Sequence, residues 1–167
     1  MPNWIGNKLY IVGPAQDIAA FKTKNRDAYV PVQAKGARLK TTKAALSLDS
    51  HSEYPKKKRV DGHSLHNKHQ NLVVVDLSFN KMVPVPLVVN DSWHTKHWGC
   101  MWDAYYPELV RESKRRLFYR FSTPWNPPFA WLIRVSKRFP SLRFSLHYWN
   151  DIYDRWDLVR IVKGDVA

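Results

Sequence analysis

Apolar and polar positions alternate from Asn7 to Val12, with Leu9 and Ile11 on one side and Lys8, Tyr10 and Val12 on the other. That is the period of a half-buried strand. Gly13-Pro14 ends it, and in Ala15 to Asn25 the apolar Ile18 and Phe21 recur at helical spacing, with Asp17 near the start where the helix dipole favours an acid. A second strand is predicted over Asn71 to Phe79, where Val73, Val75, Leu77 and Phe79 share one face and Asp76 and Ser78 the other. Arg116 to Phe121 reads as a third strand. Pro127-Pro128 then opens a helix reaching Phe139, because proline is tolerated in a first turn, and this helix is expected to bury Phe129, Leu132, Ile133 and Val135. Leu142 to Trp149 alternates as a fourth strand, Leu142, Phe144, Leu146 and Tyr148 facing one way and Arg143, Ser145, His147 and Trp149 the other.

Two stretches break these periods. From Thr23 to Asn67 the apolar residues lose spacing while Gly, Ser, Thr, Lys and His accumulate, the pattern of an exposed insertion. Pro84, Pro86, the run from Trp93 to Tyr106 and Pro107 describe an irregular connection, too rich in Trp to lie free in solvent. The remaining order, β-α-β followed by β-α-β, predicts an α+β, ferredoxin-like (split βαβ) fold: a four-stranded antiparallel sheet with two helices on one face. At 167 residues the chain is expected to form a single domain, 1–167, with a basic insertion at about 23–67.

Composition adds a partner class. The net charge is +13, from 27 Lys and Arg against 14 Asp and Glu, and twelve of those basic residues against four acids fall within 22–69. Such a balance attracts polyanions: nucleic acid, an acidic protein or an anionic surface. The single Cys100 excludes an internal disulfide, the N-terminus shows no signal-peptide core, and the apolar runs near Leu72–Val75 and Val83–Val89 are too short to span a bilayer. A cytoplasmic protein without membrane partner is expected.

Several blocks stand in an order that resembles the YubB-like ferredoxin-fold family: Met1-Pro2-Asn3-Trp4 with Asn7 and Val12-Gly13, then Leu77-Ser78-Phe79-Asn80-Lys81 followed by Pro84-Val85-Pro86. Trp98-Gly99, Trp102-Asp103-Ala104-Tyr105, Phe121-Ser122-Thr123-Pro124-Trp125, Pro127-Pro128, Trp131-Leu132 and Val135-Ser136 continue it. Cys100 and Met101 stand where similar sequences carry Thr and Lys, and the region after Tyr148 lacks a Gly-rich ending. The resemblance implies a plasmid, phage or integrated-element setting and no established reaction.

Candidate chemistry is sparse. Lys56-Lys57-Lys58-Arg59 suits a phosphate backbone, a nuclear-localisation run or a solvated loop. His63, His66 and His69, and then His94, His97 and Cys100, recur every third residue, a spacing to weigh against zinc, although one thiol is too few for the usual Cys pair. Trp93, Trp98, Trp102, Trp125 and Trp131 read either as stacking platforms or as wedges in the core. The sheet face opposite the helices would expose Tyr10, Val74, Asp76, Phe118, Arg120, Arg143, His147 and Trp149, a mixture of aromatic and basic groups suited to bases, unless the segment Asp151 to Val166 covers it. Arg134, Lys137 and Arg138 add a basic helix face. Asp103 is expected to hold backbone amides, and Asp76, Asp91, Asp103, His94 and His97 are the residues a metal-dependent nuclease would have to gather. No catalytic pair stands at motif spacing, and no cofactor or metal is assigned. The expectation is a non-enzymatic accessory protein of a mobile genetic element that binds nucleic acid through Lys56, Lys57, Lys58, Arg59, Arg120, Arg134, Lys137, Arg138, Arg143 and Trp149. The alternative is an inhibitor docking on a host defence protein or ribonucleoprotein.

Overall fold

A computed structural model describes residues 3–29, 73–88, 92–150 and 152–167. The chain divides into two compact units, one of residues 1–27 with 75–167 and one of residues 28–74. Of the second unit, 28, 29, 73 and 74 are described; they belong to strands β2 (Asp27–Tyr29) and β3 (Val73–Val75), which form a two-stranded sheet. Most of the expected insertion, including Lys56–Arg59 and His63, His66 and His69, lies outside the described residues, as does Asp91.

The first unit is built on a sheet of six antiparallel strands. In chain order these are β1 (Trp4–Val12), β4 (Tyr105–Ser113), β5 (Arg116–Pro124), β6 (Arg143–Asn150), β7 (Arg155–Val162) and β8 (Asp165–Val166). Across the sheet they run β4-β5-β1-β6-β7-β8. Helices α1 (Ala15–Asn25), α2 (Phe79–Met82), α3 (Trp93–Trp98) and α4 (Phe129–Arg138) supply the apolar layer on its inner face. The expected four-stranded sheet with two helices on one face is therefore corrected: among the described residues the main sheet has six strands, two more form a sheet of their own, and the helices are four and short.

Each departure has a local cause. Pro107 argues against a strand, yet β4 is an edge strand whose pairing with β5 shifts register between Tyr105 and Glu108 and again between Leu109 and Arg111, where a missing amide donor is tolerated. In β7 only Ile161 is fully buried, so the run Arg155–Val162 carries no apolar stripe to mark it. The strand expected over Asn71–Phe79 stops at Val75, and Phe79 opens α2 instead, because the carboxylate of Asp103 captures the amides of Phe79 and Asn80 at 2.5 and 3.4 Å. Within the irregular connection α3 forms, ending at Gly99 in the left-handed region (φ 90°), where a Cβ would stand 3.0 Å from the Pro127 carbonyl and the Phe129 amide.

Alternation along the central strands produces the core. Leu9 and Ile11 of β1, Leu117, Tyr119 and Phe121 of β5, and Phe144 and Leu146 of β6 are buried on the inner face. Phe21 of α1 meets Tyr119, Phe139 and Phe144, while Phe79 packs against Trp98, Phe121 and Trp131. Burying side chains of this size contributes about 1.5–3 kcal/mol each. Trp98 and Trp131 also donate their indole N–H groups to the carbonyls of Val83 and Phe79, at 3.0 and 3.2 Å, which satisfies the one polar atom each ring carries inside. Asn7 sits in this layer as well, donating to Ile5 O and Thr123 Oγ1 at 2.9 Å each, and Thr123 in turn donates to Asn126 O at 2.8 Å.

Candidate functional site

The outer face of the sheet follows from the same alternation, read one residue out of step. Strand registers place its residues in rows. Lys8 lies between Arg120 and His147, with Glu108 beyond Arg120 and Leu158 beyond His147. Tyr10 lies between Phe118 and Ser145, with Arg111 and Arg160 outside them. The next row holds Arg116, Val12 and Arg143. On the opposite side of Lys8 come Ser122, Gly6 and the Trp149–Trp156 pair. Successive rows on one strand lie about 7 Å apart, two residues at the strand rise.

Chemically the face is aromatic and cationic. Tyr10 and Phe118 are parallel rings 4.4 Å apart, and His147 meets Tyr10 edge-on at 5.4 Å. Trp149 and Trp156 meet at 5.7 Å, and the Lys8 ammonium lies 3.9 Å above the Trp156 ring. The tip of Trp156 lies over Gly6, 3.5 Å from where a Cβ would stand. Lys8, Arg111, Arg116, Arg120, Arg143 and Arg160 supply positive charge. Among the described residues of the six strands, two acids fall in these rows: Glu108, paired with Arg120 at 2.9 Å, and Asp165 of β8, beyond Arg143 and Val162. Burial first, and then the charges of Lys8 and Arg160, hold His147 below the ordinary histidine range. Tyr10 and Trp156 keep 37% and 42% of their surface exposed, so their rings are open to a ligand.

The residues singled out from sequence separate into groups. Arg120, Arg143 and Trp149 come together on this face with Tyr10, Phe118 and His147. Val74 and Asp76 do not: Val74 belongs to β3, and Asp76 faces Arg26 at 3.8 Å. The segment after Asp151 extends the sheet as β7 and β8 rather than covering it. On α4, Arg138 donates to the Met82 carbonyl and the stem of Lys137 packs against Gly164, while Arg134 is exposed; these three belong to the helical layer, away from the outer face. Trp98 and Trp131 are core wedges, and Trp125 is exposed.

Sequence reasoning passed over Lys8, Trp156 and Arg160. For the latter two the mark was the alternation of Trp156, Leu158, Arg160 and Val162, opposite a weak inner stripe.

The metal and nuclease candidates are arranged otherwise. The Cys100 thiol is buried and donates to Trp102 O at 3.2 Å, and burial pushes its pKa up, away from thiolate chemistry. His97 Nδ1 lies 2.8 Å from Trp93 O. Asp103 is buried and accepts from Ser78 Oγ at 2.9 Å and from Ala104 N at 2.8 Å besides the two amides of α2. Among the described residues no three His, Cys, Asp or Glu side chains gather as a metal site, and no helix is long and apolar enough to cross a membrane.

No family model matches the chain, and no curated protein matches it. Among solved structures it is similar to the crystal structure of a protein api92 from Yersinia pseudotuberculosis, of the family model DUF1281. The TM-score is 0.61 at 11% identity, over 100% of this chain and 96% of that one. A likeness at this identity shows a shared fold.

Proposed function

We propose that the protein binds nucleic acid on the outer face of its six-stranded sheet, as a cytoplasmic binding protein that carries out no reaction of its own. The observation that carries this reading is the row structure: the stacked, partly exposed Tyr10–Phe118 pair sets aromatic rings in the middle of the face, and Lys8, Arg120, Arg143 and Arg160 surround it within one or two positions. Aromatic faces stack bases, and cations beside them displace counterions from the phosphates, which together give affinity with little sequence preference. The accessory role in a mobile element rests on the family resemblance alone.

Fluorescence anisotropy with labelled single- and double-stranded DNA and RNA at low salt tests the proposal. Saturable binding whose affinity falls steeply with added salt is expected. Absence of saturable binding to every one of these probes removes it.

A further inference from the structure

At one end of the outer face stands a second aromatic group that the Tyr10–Phe118 platform does not include. Trp4, four residues before Lys8 on β1, stacks on Tyr105 with ring centroids 4.6 Å apart. Trp102 meets Trp4 at 5.9 Å and Trp125 at 5.5 Å. Tyr106 adjoins Tyr105 at 4.1 Å. Rings this size normally belong in a core, yet Trp4, Trp125 and Tyr106 are 38, 43 and 60% exposed.

The backbone holds two of them there against its own preference. Trp125 has φ 60° and Tyr106 φ 47°, the left-handed region that bulky side chains avoid. The Trp125 turn is fixed from both sides, by its amide donating to Asn3 O at 2.7 Å and by Thr123 Oγ1 donating to Asn126 O at 2.8 Å. Strain that the surroundings over-determine, spent on keeping a ring in solvent, marks a place where the ring is used.

We propose that this cluster is a second stacking station of the same site, so that the ligand is a single strand laid along β1 from Trp4 to Tyr10. The inference rests on the nucleic-acid reading of the face. Six residues of strand separate the two stations, about 20 Å. Between them the Trp156 ring lies over Gly6, beside Ser122, and the cations Lys8 and Arg120 follow. Seven nucleotides, with six steps of the 3.4 Å stacked rise, cover that span of about 20 Å, and fewer do so when extended. A duplex does not fit this arrangement, because each of its bases already has both faces covered by neighbours and only a terminal pair can reach a protein ring.

Anisotropy with oligothymidylates of three, six and nine nucleotides, and with duplexes of nine base pairs, tests this. Affinity should rise from three to six nucleotides and exceed that for the duplex. Replacing Trp4 and Trp125 together by Ala should weaken the nine-nucleotide strand by about five- to a hundredfold at unchanged salt slope, and Trp4→Tyr should retain stacking and restore most of it. A melting curve of each variant keeps loss of fold distinct from loss of a station. Equal affinity for duplex and single strand, or a folded Trp4→Ala/Trp125→Ala protein that binds like the parent, overturns the second station; if Lys8→Ala and Arg120→Ala still weaken binding, the underlying reading survives. No binding by the parent to any probe overturns both.

Discussion

Tyr10 and Phe118 lie side by side on neighbouring strands with their rings parallel and 4.4 Å apart, on the face of the sheet that the helices leave open. Two partly exposed rings held flat against each other form a surface whose free energy of association with a base is not electrostatic.

That separates two kinds of variant. Tyr10→Ala should weaken single-strand binding by about fivefold or more while leaving the dependence on salt unchanged. Lys8→Ala or Arg120→Ala should reduce the slope of log affinity against log salt by about 0.7 for each phosphate no longer neutralised. Titrations at three or more salt concentrations measure both; a Tyr10→Ala variant that alters only the slope contradicts the stacking role.

His147 makes the face sensitive to pH. Its pKa is depressed by burial and by the facing cations Lys8 and Arg160, with Tyr10 as its neutral neighbour. Above about pH 6.5 the ring is neutral in folded and unfolded chains alike. As pH falls through that value and then through the lower folded one, the unfolded chain takes the proton first, so the fold loses stability. Thermal melts at pH 7.5 and 5.5 should show a smaller drop for His147→Gln than for the parent. Phosphates bound beside Lys8 and Arg160 would offset their charge and raise the His147 pKa, so binding should take up protons as the pH falls below the ordinary histidine range. Calorimetry in buffers of different ionisation heat measures that uptake, and the His147→Gln protein should lose it.

Asp103 joins α2 to the start of β4. Asp103→Ala strands the buried amide of Phe79 and those of Asn80 and Ala104, and leaves the Ser78 hydroxyl its longer bond to Asp27 at 3.5 Å, at a cost of about 2 kcal/mol or more. The melting temperature should fall by about 5 °C or more. Asp103→Asn, which keeps one carbonyl oxygen, should fall less, and Ser78→Ala less again.

The same engagement of Asp103 bears on hydrolysis. A metal-dependent nuclease would need this carboxylate turned toward a cation, whereas it is enclosed by protein donors, and Asp76 faces Arg26. Plasmid, single-stranded DNA and RNA incubated with the protein and Mg, Mn or Zn should remain intact on gels. Cleavage stopped by chelator and by Asp103→Ala would make the Trp93–Tyr106 connection an active site.

Strict alternation made β1, β5 and β6 legible from sequence, and α1 was legible with both its ends. Tyr10, Phe118, Arg120, Arg143, His147 and Trp149 were legible as one face for the same reason: strand parity alone assigns them. The edge strands were not. In β4 the bulges and Pro107 break the period, and in β7 the exposed Trp156 and Leu158 are nearly as apolar as the inward Val159 and Ile161. No local pattern announces that Trp156 reaches over Gly6 to meet Lys8, since that approach spans strands distant in sequence.

The two margins of the sheet have a colloidal consequence. At one margin the ladder of β4 is interrupted twice, and at the other β8 is two residues long, with the Ala167 amide turned back to Arg160 O at 2.9 Å. An interrupted ladder is a poor template for strand addition, and although β8 leaves Arg155–Val159 of β7 unpaired on that side, the outer face beside this edge is strongly cationic. There, two copies would bring like charges together. Mutual repulsion between Lys8, Arg120, Arg143 and Arg160 of one molecule and those of another keeps the rings apart at low ionic strength. The cations that draw in a polyanion therefore also act as the protein's dispersant, and added salt weakens both effects at once.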